Sequence, residues 1–375
     1  NTINTLKLYT TLYLSIFVFF NSTAQSYNFE YYGVEEGLSQ NSVNSIIQDQ
    51  RGHLWIGTQN GLCKFDGSEF TPYSKKDGLA GNNIYCISED QEGNIWTIDL
   101  TKGVTKYNGL NFLSYPKDTL KEEEHYRVIF GDSKNKVWLG TNAGLRIIQN
   151  GVITPYLTEN KKKISDPINV IIEDTQGNIW IGTENGVIVI QENKTKYIST
   201  KNGLPSNNIF DILEDNSGNF LFATEHGVIK LLTASLSNDV LDFDNSSFKE
   251  IDDEVNDFLL DNEKNIWVAT YNSGIYIIDS TEKMTQLTIE NGLTSSYIHG
   301  LFMDRDANIW VASHELIKIS KNAFTSYPQI KGLNNPYIFG ITEDLEGNIW
   351  VSTGENGIYK YDGTRSYQYT NTNGL

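Results

Sequence analysis

One short phrase recurs eight times along this chain and constrains its fold more than any other feature. It reads "EDQEGNIWTID" at residues 89–99, "EDTQGNIWIGT" at 173–183 and "EDLEGNIWVST" at 343–353. Successive copies lie 40 to 46 residues apart. A fixed period of this length indicates a repeat architecture. In the fifth copy the key position holds Leu221, and in the other copies it holds the seven tryptophans of the protein: Trp55, Trp96, Trp138, Trp180, Trp267, Trp310 and Trp350.

Each repeat is predicted to contain four β-strands. An Asp followed by Gly-Asn between two apolar runs is typical of a tight hairpin, because Asp accepts local amide hydrogens and Gly adopts the positive φ that other residues avoid. The flanking runs, such as "NIWIGT" and "GLCKFDG", are short, bounded by glycine and rich in β-branched and aromatic residues, which favours strands. The turn residues of three copies are Asp90, Gly93, Asp174, Gly177, Asp344 and Gly347.

Four strands in a period of about 40 residues predict an all-β fold, a β-propeller of four-stranded blades around a central channel. Both faces of such a blade pack on neighbours, so the second strand should be apolar on both sides, as Trp180-Ile181 and Trp350-Val351 are. The tryptophans are therefore expected in the core between blades, where each contributes roughly 2–3 kcal/mol. The sequence has no long stretch with helical periodicity.

The blade number depends on the segment "YNFEYYGVEEGL" at residues 27–38. It matches the aromatic fourth strand of later repeats, such as "RSYQYTNTNGL", yet no blade precedes it. Such a strand can complete the last blade by pairing with its third strand, which removes an exposed sheet edge. If it joins the seventh repeat, the ring has seven blades and the eighth repeat starts another propeller. If it joins the eighth, the ring has eight blades; we favour seven.

The two chain ends differ from the repeats. Residues 1–24 combine a lysine, an apolar run at 12–20 and a small-residue ending "STA". This pattern resembles a secretory signal peptide, and its apolar run is too short for a membrane span. The propeller is then expected at residues 25–375, outside the cytoplasm. The chain stops at "TNTNGL", whose Gly374-Leu375 match the start of a further repeat, so we expect the natural protein to continue.

Charge and cysteine usage exclude several classes of function. The formal net charge of −18 argues against nucleic acid and anionic membrane surfaces as partners, since both need clustered Lys and Arg. Cys63 and Cys86 fall on a third and a first strand of neighbouring repeats, where we expect free thiols buried in the sheets. No His or Cys stands at metal-ligand spacing, so no metal or other cofactor is expected.

The unit "EDxxGNIWIGTxxGLxxxDG" resembles the two-component regulator propeller repeat, found in extracytoplasmic sensor regions of Bacteroidetes-type histidine kinases. The resemblance covers about residues 27–375, although the third copy reads "GDSKNKVWLGT" and the sixth and seventh replace the turn glycine with Lys264 and Ala307. It implies a ligand-sensing domain, commonly for glycans, followed by a small β-sandwich, a membrane helix and a kinase. Membrane attachment and a homodimer are thus expected only through segments beyond this sequence.

A ligand is expected at one mouth of the channel. The loops that lead into each first strand, and those between second and third strands, share this face. One position beyond the start of each first strand stand Asn44, Tyr85, Arg127, Asn169, Phe210, Asn256, His299 and Phe339. Aromatic faces beside amide and charged groups suit an oligosaccharide or another small ligand. The candidates for ligand binding are Tyr85, Arg127, His226, Tyr271, His299 and His314. Alternatively, such residues merely edge a channel without a ligand.

Catalysis is a weaker prediction. Asp211 and Asp257 occupy equivalent first-strand positions in adjacent repeats and could form a carboxylate pair, or they could cap backbone amides beside the channel. No nucleophile elbow, phosphate loop, HExxH motif or calcium loop occurs. The leading hypothesis is therefore a non-enzymatic periplasmic sensor module. A secreted carbohydrate-active enzyme, either hydrolase or lyase, and a protein-interaction platform are the alternatives.

Overall fold

The computed structural model describes residues 27–116, 124–192, 194–233, 241–244, 246–321, 337–344, 346–354, 357–362, 365–373 and 375. The predicted signal peptide, residues 1–24, lies outside this part. The chain divides into two units, residues 1–321 and residues 322–375. Within the described ranges the regular structure consists of β-strands and short 3₁₀ turns, and none of these residues is α-helical.

The described residues of the first unit form twenty-seven strands. In chain order they are β1 (Tyr27–Tyr32), β2 (Val43–Gln48), β3 (Leu54–Thr58), β4 (Gly61–Phe65), β5 (Phe70–Tyr73), β6 (Ile84–Glu89), β7 (Ile95–Asp99), β8 (Gly103–Tyr107), β9 (Phe112–Pro116), β10 (Tyr126–Gly131), β11 (Val137–Thr141), β12 (Gly144–Gln149), β13 (Val152–Pro155), β14 (Ile168–Glu173), β15 (Ile179–Thr183), β16 (Gly186–Gln191), β17 (Lys194–Ile198), β18 (Asp211–Glu214), β19 (Phe220–Thr224), β20 (Gly227–Leu231), β21 (Val255–Leu260), β22 (Ile266–Thr270), β23 (Ile275–Ile278), β24 (Met284–Leu287), β25 (Gly300–Met303), β26 (Ile309–Ala312) and β27 (Leu316–Lys321). The 3₁₀ turns are Val34–Glu36, Lys75–Asp77, Thr200–Asn202, Ser246–Phe248 and Ile289–Asn291.

These strands form seven antiparallel sheets, one for each of the first seven repeats. The sheets are β2-β3-β4-β5, β6-β7-β8-β9, β10-β11-β12-β13, β14-β15-β16-β17, β18-β19-β20, β21-β22-β23-β24 and β25-β26-β27-β1. The first strand of each repeat contacts the first strand of the next, from β2 through β25, and β25 contacts β2 again. The seven sheets are therefore the blades of a closed propeller, and their first strands line its centre.

Strand β1 closes the ring. It pairs antiparallel with β27, with Tyr27 opposite Lys321 and Tyr32 opposite Leu316. Tyr32 also packs against Trp310 with ring centroids 5.5 Å apart, so the first strand of the chain belongs to the core of the seventh blade. The fourth-strand segment thus joins the seventh repeat, which confirms the favoured blade number of seven.

The fifth blade departs from the four-strand pattern. Its described residues form three strands, and Leu231 bridges to Phe243 where the fourth strand would lie. The backbone N–H of Leu232 also donates to the carbonyl oxygen of Asp242 at 3.0 Å. Residues 234–240, between these two stretches, are outside the described part. Among the described residues, the pairing at the outer edge of this blade is therefore an isolated bridge with flanking backbone hydrogen bonds.

The tryptophans occupy the core as predicted, with 1–4% of their surface exposed in the first unit. Each indole N–H donates to the carboxylate of the Asp six residues earlier, at 2.7–2.9 Å, in all seven Trp-containing repeats. In the fourth repeat, Asp174 also accepts the backbone N–H groups of Gln176 and Asn178. One carboxylate thereby satisfies both the turn and the buried indole, which explains the fixed spacing of the recurring phrase.

The fifth repeat shows what happens without the indole. Leu221 is completely buried in the tryptophan position, and its cross-strand neighbour is Lys230. The Lys230 ammonium lies 3.2 Å from the carboxylate of Asp215, the turn Asp of this repeat. A cation thus occupies the site on Asp that the indole N–H fills elsewhere, and the buried carboxylate keeps a partner.

The hairpin turns need a residue with positive φ, as predicted for Gly93, Gly177 and Gly347. Their φ values are 76°, 79° and 83°. The sixth and seventh repeats place Lys264 and Ala307 at the same turn position with φ of 70° and 61°, a conformation that side chains other than Gly adopt at a cost. The turn geometry is therefore kept even where the favoured residue is absent.

The second unit contains the eighth repeat as one four-stranded sheet. Its strands are β28 (Ile338–Glu343), β29 (Ile349–Thr353), β30 (Ile358–Tyr361) and β31 (Ser366–Tyr369), paired in that order. Trp350 donates its indole N–H to Asp344 at 2.8 Å, as in the first unit. Its ring stacks on Tyr369 with centroids 5.6 Å apart. The local structure of the repeat is thus the same in both units.

Candidate functional site

The first unit contains a cavity of about 1140 Å³ among the first strands of its blades. One residue from each of the seven blades lines it at the position that the sequence analysis singled out: Asn44, Tyr85, Arg127, Asn169, Phe210, Asn256 and His299. The predicted convergence of these positions on one cavity is confirmed. Phe339, the eighth member of the series, lies in the second unit.

Three asparagines fix the spacing between blades around this cavity. The side-chain N–H groups of Asn44, Asn169 and Asn256 donate to backbone carbonyls at the start of the next blade, each at 2.9 Å. The acceptors are the carbonyl oxygens of Ile84, Ile209 and Ile298. Because these bonds tie neighbouring first strands together, the cavity wall is largely preformed, as ligand sites usually are.

Arg127 spans the third and fourth blades. Its guanidinium donates to the side-chain oxygen of Asn169 at 2.8 Å and to the carboxylate of Glu184 at 2.7 Å. Both charged side chains are partly exposed, so the ion pair adds at most about 1 kcal/mol to stability. Its main consequence is electrostatic, since the carboxylate offsets the positive charge of the guanidinium inside the cavity.

Aromatic rings form a second part of the cavity wall. The ring of Tyr297 lies 4.5 Å from that of Tyr271 and 4.5 Å from that of His299, centroid to centroid. The rings of His299 and His314 are 6.1 Å apart, and the Nδ1 of His314 lies 3.1 Å from the hydroxyl of Ser295. We call Tyr271, Tyr297, His299 and His314 the aromatic wall. Tyr297, His299 and His314 line the cavity, and Tyr271, from the adjacent blade, packs against Tyr297.

Burial and neighbouring groups shift the pKa values of two members of the aromatic wall. Burial raises the pKa of Tyr297, and the neighbouring Tyr85, Tyr271 and Glu254 raise it further. Burial also lowers the pKa of His299, an effect that the nearby His314 reinforces. His299 is therefore neutral at neutral pH, and Tyr297 sits within electrostatic range of a carboxylate and two other phenols.

Asp211 and Asp257 lie deeper in the cavity and are hydrogen-bonded to each other. Burial raises the pKa of Asp211 to about 6. Burial, followed by the charge of Asp211, raises the pKa of Asp257 well above its usual range. The backbone N–H of Phe258 donates to Asp211 at 2.9 Å, and that of Leu301 donates to Asp257 at 2.6 Å. Each carboxyl group therefore caps an amide of the next blade, as one of the two predictions for them stated.

The structure brings four of the six predicted ligand-binding residues to the cavity. Tyr85, Arg127, His299 and His314 line it, whereas Tyr271 is not among its lining residues and packs its ring against Tyr297. His226 is separate: it lies in the turn between β19 and β20, its side chain is 78% exposed and its closest charged neighbour is Glu225, at 3.8 Å. His226 is therefore exposed and lies outside the residues that line the cavity.

Sequence reasoning missed Tyr297, Glu254 and Asn208, which also line the cavity. Each of them lies two positions before the residue of its own repeat in the first-strand series, which is Phe210, Asn256 or His299. The signal was present in the sequence, because Tyr297 occupies a position that holds Asn83 in the second repeat and Asn208 in the fifth. An aromatic residue in place of a small polar one marks the loop before β25 as different.

Metal ligands, membrane helices and thiols are the remaining features considered in the described residues. No group of three or more His, Cys, Asp or Glu side chains in that part of the chain is arranged to hold a metal ion. No helix among the same residues is long and apolar enough to cross a membrane. Cys63 and Cys86 are free thiols; Cys63 is buried in the first blade, and Cys86 lines the cavity.

Comparison with protein families agrees with this architecture. Residues 37–60, 78–97, 162–185 and 203–226 match the family model described as two component regulator propeller. Four segments of the chain therefore match this repeat. A second family model, described as a domain of unknown function, matches residues 216–374. The matched propeller segments each contain the tight hairpin or its immediate flanks.

Individual relatives extend the comparison. Histidine kinase P4 of Formosa agariphila is 60% identical over 35 residues, a stretch that covers 9% of this chain and 3% of that protein. The extracellular domain of the hybrid two component system BT3049 from B. thetaiotaomicron superposes with a TM-score of 0.66 at 22% identity, over 92% of this chain and 49% of that one. This chain thus spans about half the length of that domain.

An enzyme shares the same architecture. Virginiamycin B lyase from Staphylococcus aureus superposes with a TM-score of 0.61 at 13% identity, over 79% of this chain and 99% of the lyase. Identities this low show the fold alone, and the shared fold is the β-propeller. The all-β propeller predicted from the sequence is confirmed.

Proposed function

We propose that this chain is the extracytoplasmic ligand-sensing propeller of a two-component sensor histidine kinase, and that a glycan or other small ligand binds in its central cavity. The cavity carries the proposal, because it joins an aromatic wall to amide and charged groups held on preformed strands. The propeller repeats and the short, close match to a histidine kinase support the signalling context. The same proposal includes export by residues 1–24, a sensor region of propeller repeats over residues 25–375 whose closed ring lies in the first unit, and signalling through other parts of the protein.

The chemistry of the cavity suits an oligosaccharide. Sugar rings need an apolar platform for their C–H groups, which the face of Tyr297 or Tyr85 provides. Their hydroxyls need directional donors and acceptors, and Arg127, Glu184 and Asn169 offer both. At about 1140 Å³ the cavity exceeds the roughly 300–1,000 Å³ of common small-molecule pockets, which favours several linked units over one.

A ligand in this position would link distant blades. Tyr85 belongs to the second blade, Arg127 to the third and His299 to the seventh. Contacts to all three would oppose their relative movement, and ordering of this kind is a physical means of transmitting binding to another part of a protein.

The Asp211–Asp257 pair does not fit glycoside hydrolysis. Glycosidases hold their two carboxyl groups about 5–9.5 Å apart to accommodate the sugar and water between them. Here the two carboxyl groups are hydrogen-bonded directly to each other, and each also accepts a hydrogen bond from a backbone N–H. Both are used in holding the blades together, so we propose no catalytic role for this chain. The likeness to a lyase supports the shared fold only.

Calorimetric titration of the purified chain with an oligosaccharide array tests the proposal. The variants Tyr297→Ala and Tyr85→Ala are expected to weaken binding at least tenfold, because each loses a ring face in the cavity. Tyr197→Ala is the matched control, since this tyrosine lies half exposed on β17 and is not among the cavity-lining residues. Absence of binding to every oligosaccharide contradicts the proposal. Measurable turnover would favour the enzyme, and a protein partner without any small ligand would favour the interaction platform.

A further inference from the structure

The charges that line the cavity are unbalanced. Four acidic residues line it, Glu184, Asp211, Glu254 and Asp257, against one arginine, Arg127. The guanidinium is already paired with Glu184 at 2.7 Å. The shared proton of the Asp211–Asp257 pair leaves one negative charge there at neutral pH, and Glu254 adds another. An entering ligand therefore meets a net negative potential.

The negative charge lies beside the aromatic wall. Glu254 immediately precedes β21 and Tyr297 lies in the loop before β25, the contacting first strands of adjacent blades, and both residues line the cavity. The charge of Glu254 also contributes to the raised pKa of Tyr297. Glu254 is also tied to Tyr271, whose backbone N–H donates to its carbonyl oxygen at 2.9 Å. Phenol faces next to a carboxylate are the surroundings in which proteins hold ammonium groups, since ring quadrupole and carboxylate attract the same positive charge.

The nearest basic groups do not oppose a cation here. His299 is neutral at neutral pH because burial lowers its pKa. Arg127 is offset by Glu184 and hydrogen-bonded to Asn169. An acidic ligand, in contrast, would have to displace Glu184 from Arg127 and approach Glu254 without a counter-charge.

We propose that Glu254, Tyr297, Tyr271 and Tyr85 form a subsite for a protonated amine, and that the cavity selects amine-bearing saccharides over acidic ones. This inference rests on the proposed function for the saccharide part of the ligand. The amine subsite itself depends only on the carboxylate and the tyrosine rings. An amino sugar satisfies both parts, because its ring packs on the phenol faces while its ammonium group meets Glu254.

A matched series of tetrasaccharides tests the charge selection. The purified chain is titrated calorimetrically with oligomers of glucosamine, N-acetylglucosamine and galacturonate of equal length, at neutral pH and low salt. We expect the amine to bind at least tenfold more tightly than the neutral oligomer, and the acid most weakly. Higher salt should narrow the difference, because screening weakens the attraction. Galacturonate binding as tightly as glucosamine would overturn the inference.

Two variants locate the subsite. Glu254→Gln should reduce the affinity for the glucosamine oligomer about tenfold and leave the N-acetylated oligomer unchanged. Glu225→Gln is the control, since this carboxylate is outside the residues that line the cavity. Tyr297→Leu should weaken amine binding, whereas Tyr297→Phe, which keeps the ring face, should not. An amine preference that survives Glu254→Gln contradicts the assignment.

Tetramethylammonium separates this inference from the proposed function. It carries a positive charge without a sugar. NMR chemical-shift changes on its addition that are lost in Tyr297→Leu would support the subsite even if no oligosaccharide binds. If oligosaccharides bind but neither amine preference nor tetramethylammonium binding is found, the inference fails and the sensor proposal stands. If neither the amine oligomer nor tetramethylammonium binds at millimolar concentration, the subsite is refuted.

Discussion

The fourth and eighth repeats have nearly the same sequence, yet their first strands differ sharply in burial. Ile168 and Ile171 in β14 are 0% and 3% exposed, whereas the equivalent Ile338 and Ile341 in β28 are 48% and 66% exposed. The Asp–Trp hydrogen bond is 2.8 Å in both repeats. The hairpin is thus a local property of the repeat, while burial comes from neighbouring sheets, as in other repeat proteins.

Ring closure should therefore have the largest effect of any change. Deleting Tyr27–Tyr32 removes the fourth strand of the seventh blade and exposes the edge of β27. We expect the first unit to lose more than about 5 kcal/mol of stability and its cooperative unfolding transition, because the core between the sixth, seventh and first blades opens. Hydrogen exchange would measure this. Deleting Ser366–Tyr369 from the eighth sheet is the comparison, and a loss of protection in the first unit after that deletion would contradict the distinction.

The next largest difference between the two units is expected when an indole is removed. Trp180→Ala is expected to destabilise the first unit by about 4 kcal/mol, since it leaves a cavity between blades and removes the buried indole hydrogen bond to Asp174. Trp350→Ala should cost the eighth sheet only about 1–2 kcal/mol, because that side chain is partly exposed. Denaturant unfolding followed by hydrogen exchange of each unit measures both. Equal losses would show that neighbouring blades contribute little to the burial energy.

The buried carboxyl pair predicts a pH dependence of the first unit. The pKa of Asp211 is raised to about 6 in the folded state, so the stabilising contribution of its protonated form is complete below pH 4 and lost as pH rises through 6. The loss is on the order of 2–3 kcal/mol. Asp257→Asn should flatten this slope, because its amide can donate to an ionised Asp211.

Glu69→Gln, an exposed carboxylate of the same unit, is the control for that measurement and should keep the slope. The eighth sheet has no counterpart of the carboxyl pair, because the position equivalent to Asp211 and Asp257 there is Gly340. Stability of the first unit that increases between pH 5 and 8 would contradict the proton-sharing arrangement.

Backbone strain should give the smallest effects, and these should be equal in both units. Gly177→Ala and Gly347→Ala are each expected to cost about 1 kcal/mol, because both turns have φ near 80° and are open enough for a methyl group. Ala307→Gly should stabilise its turn by roughly 0.5–1 kcal/mol for the same reason. Thermal unfolding curves would measure the shifts. A much larger cost in the first unit would mean that the turn is not purely local.

Most of the fold could be predicted from the sequence because the chain repeats itself. Comparing copies identified the Trp position, the hairpin Asp and the extra strand at residues 27–38, and each has a physical role that recurs. The bond between Trp180 and Asp174 was not predicted, since spacing alone does not show that the indole folds back over the turn. The irregular fifth blade also departs from the average repeat.

The candidate site could be predicted only in part. Tyr85, Arg127 and His299 were found because one strand position faces the channel in every blade. Tyr297 and Glu254 come from the preceding loops, whose conformation is not fixed by strand periodicity. His226 does not line the cavity, because a loop predicted on the same side of the ring need not reach it.

The pairing of Tyr27 with Lys321 also determines how the ring responds to force. Both polypeptide exits of the propeller leave from the same end of one antiparallel ladder. A pulling force between these two chain ends would break the hydrogen-bonded pairs of β1 and β27 one after another from that end. It would not load all of the pairs simultaneously in shear. The seventh blade is thus the mechanically weakest part of the ring, since it is closed by strand pairing alone. A pulling force on either chain connection would separate its strands first.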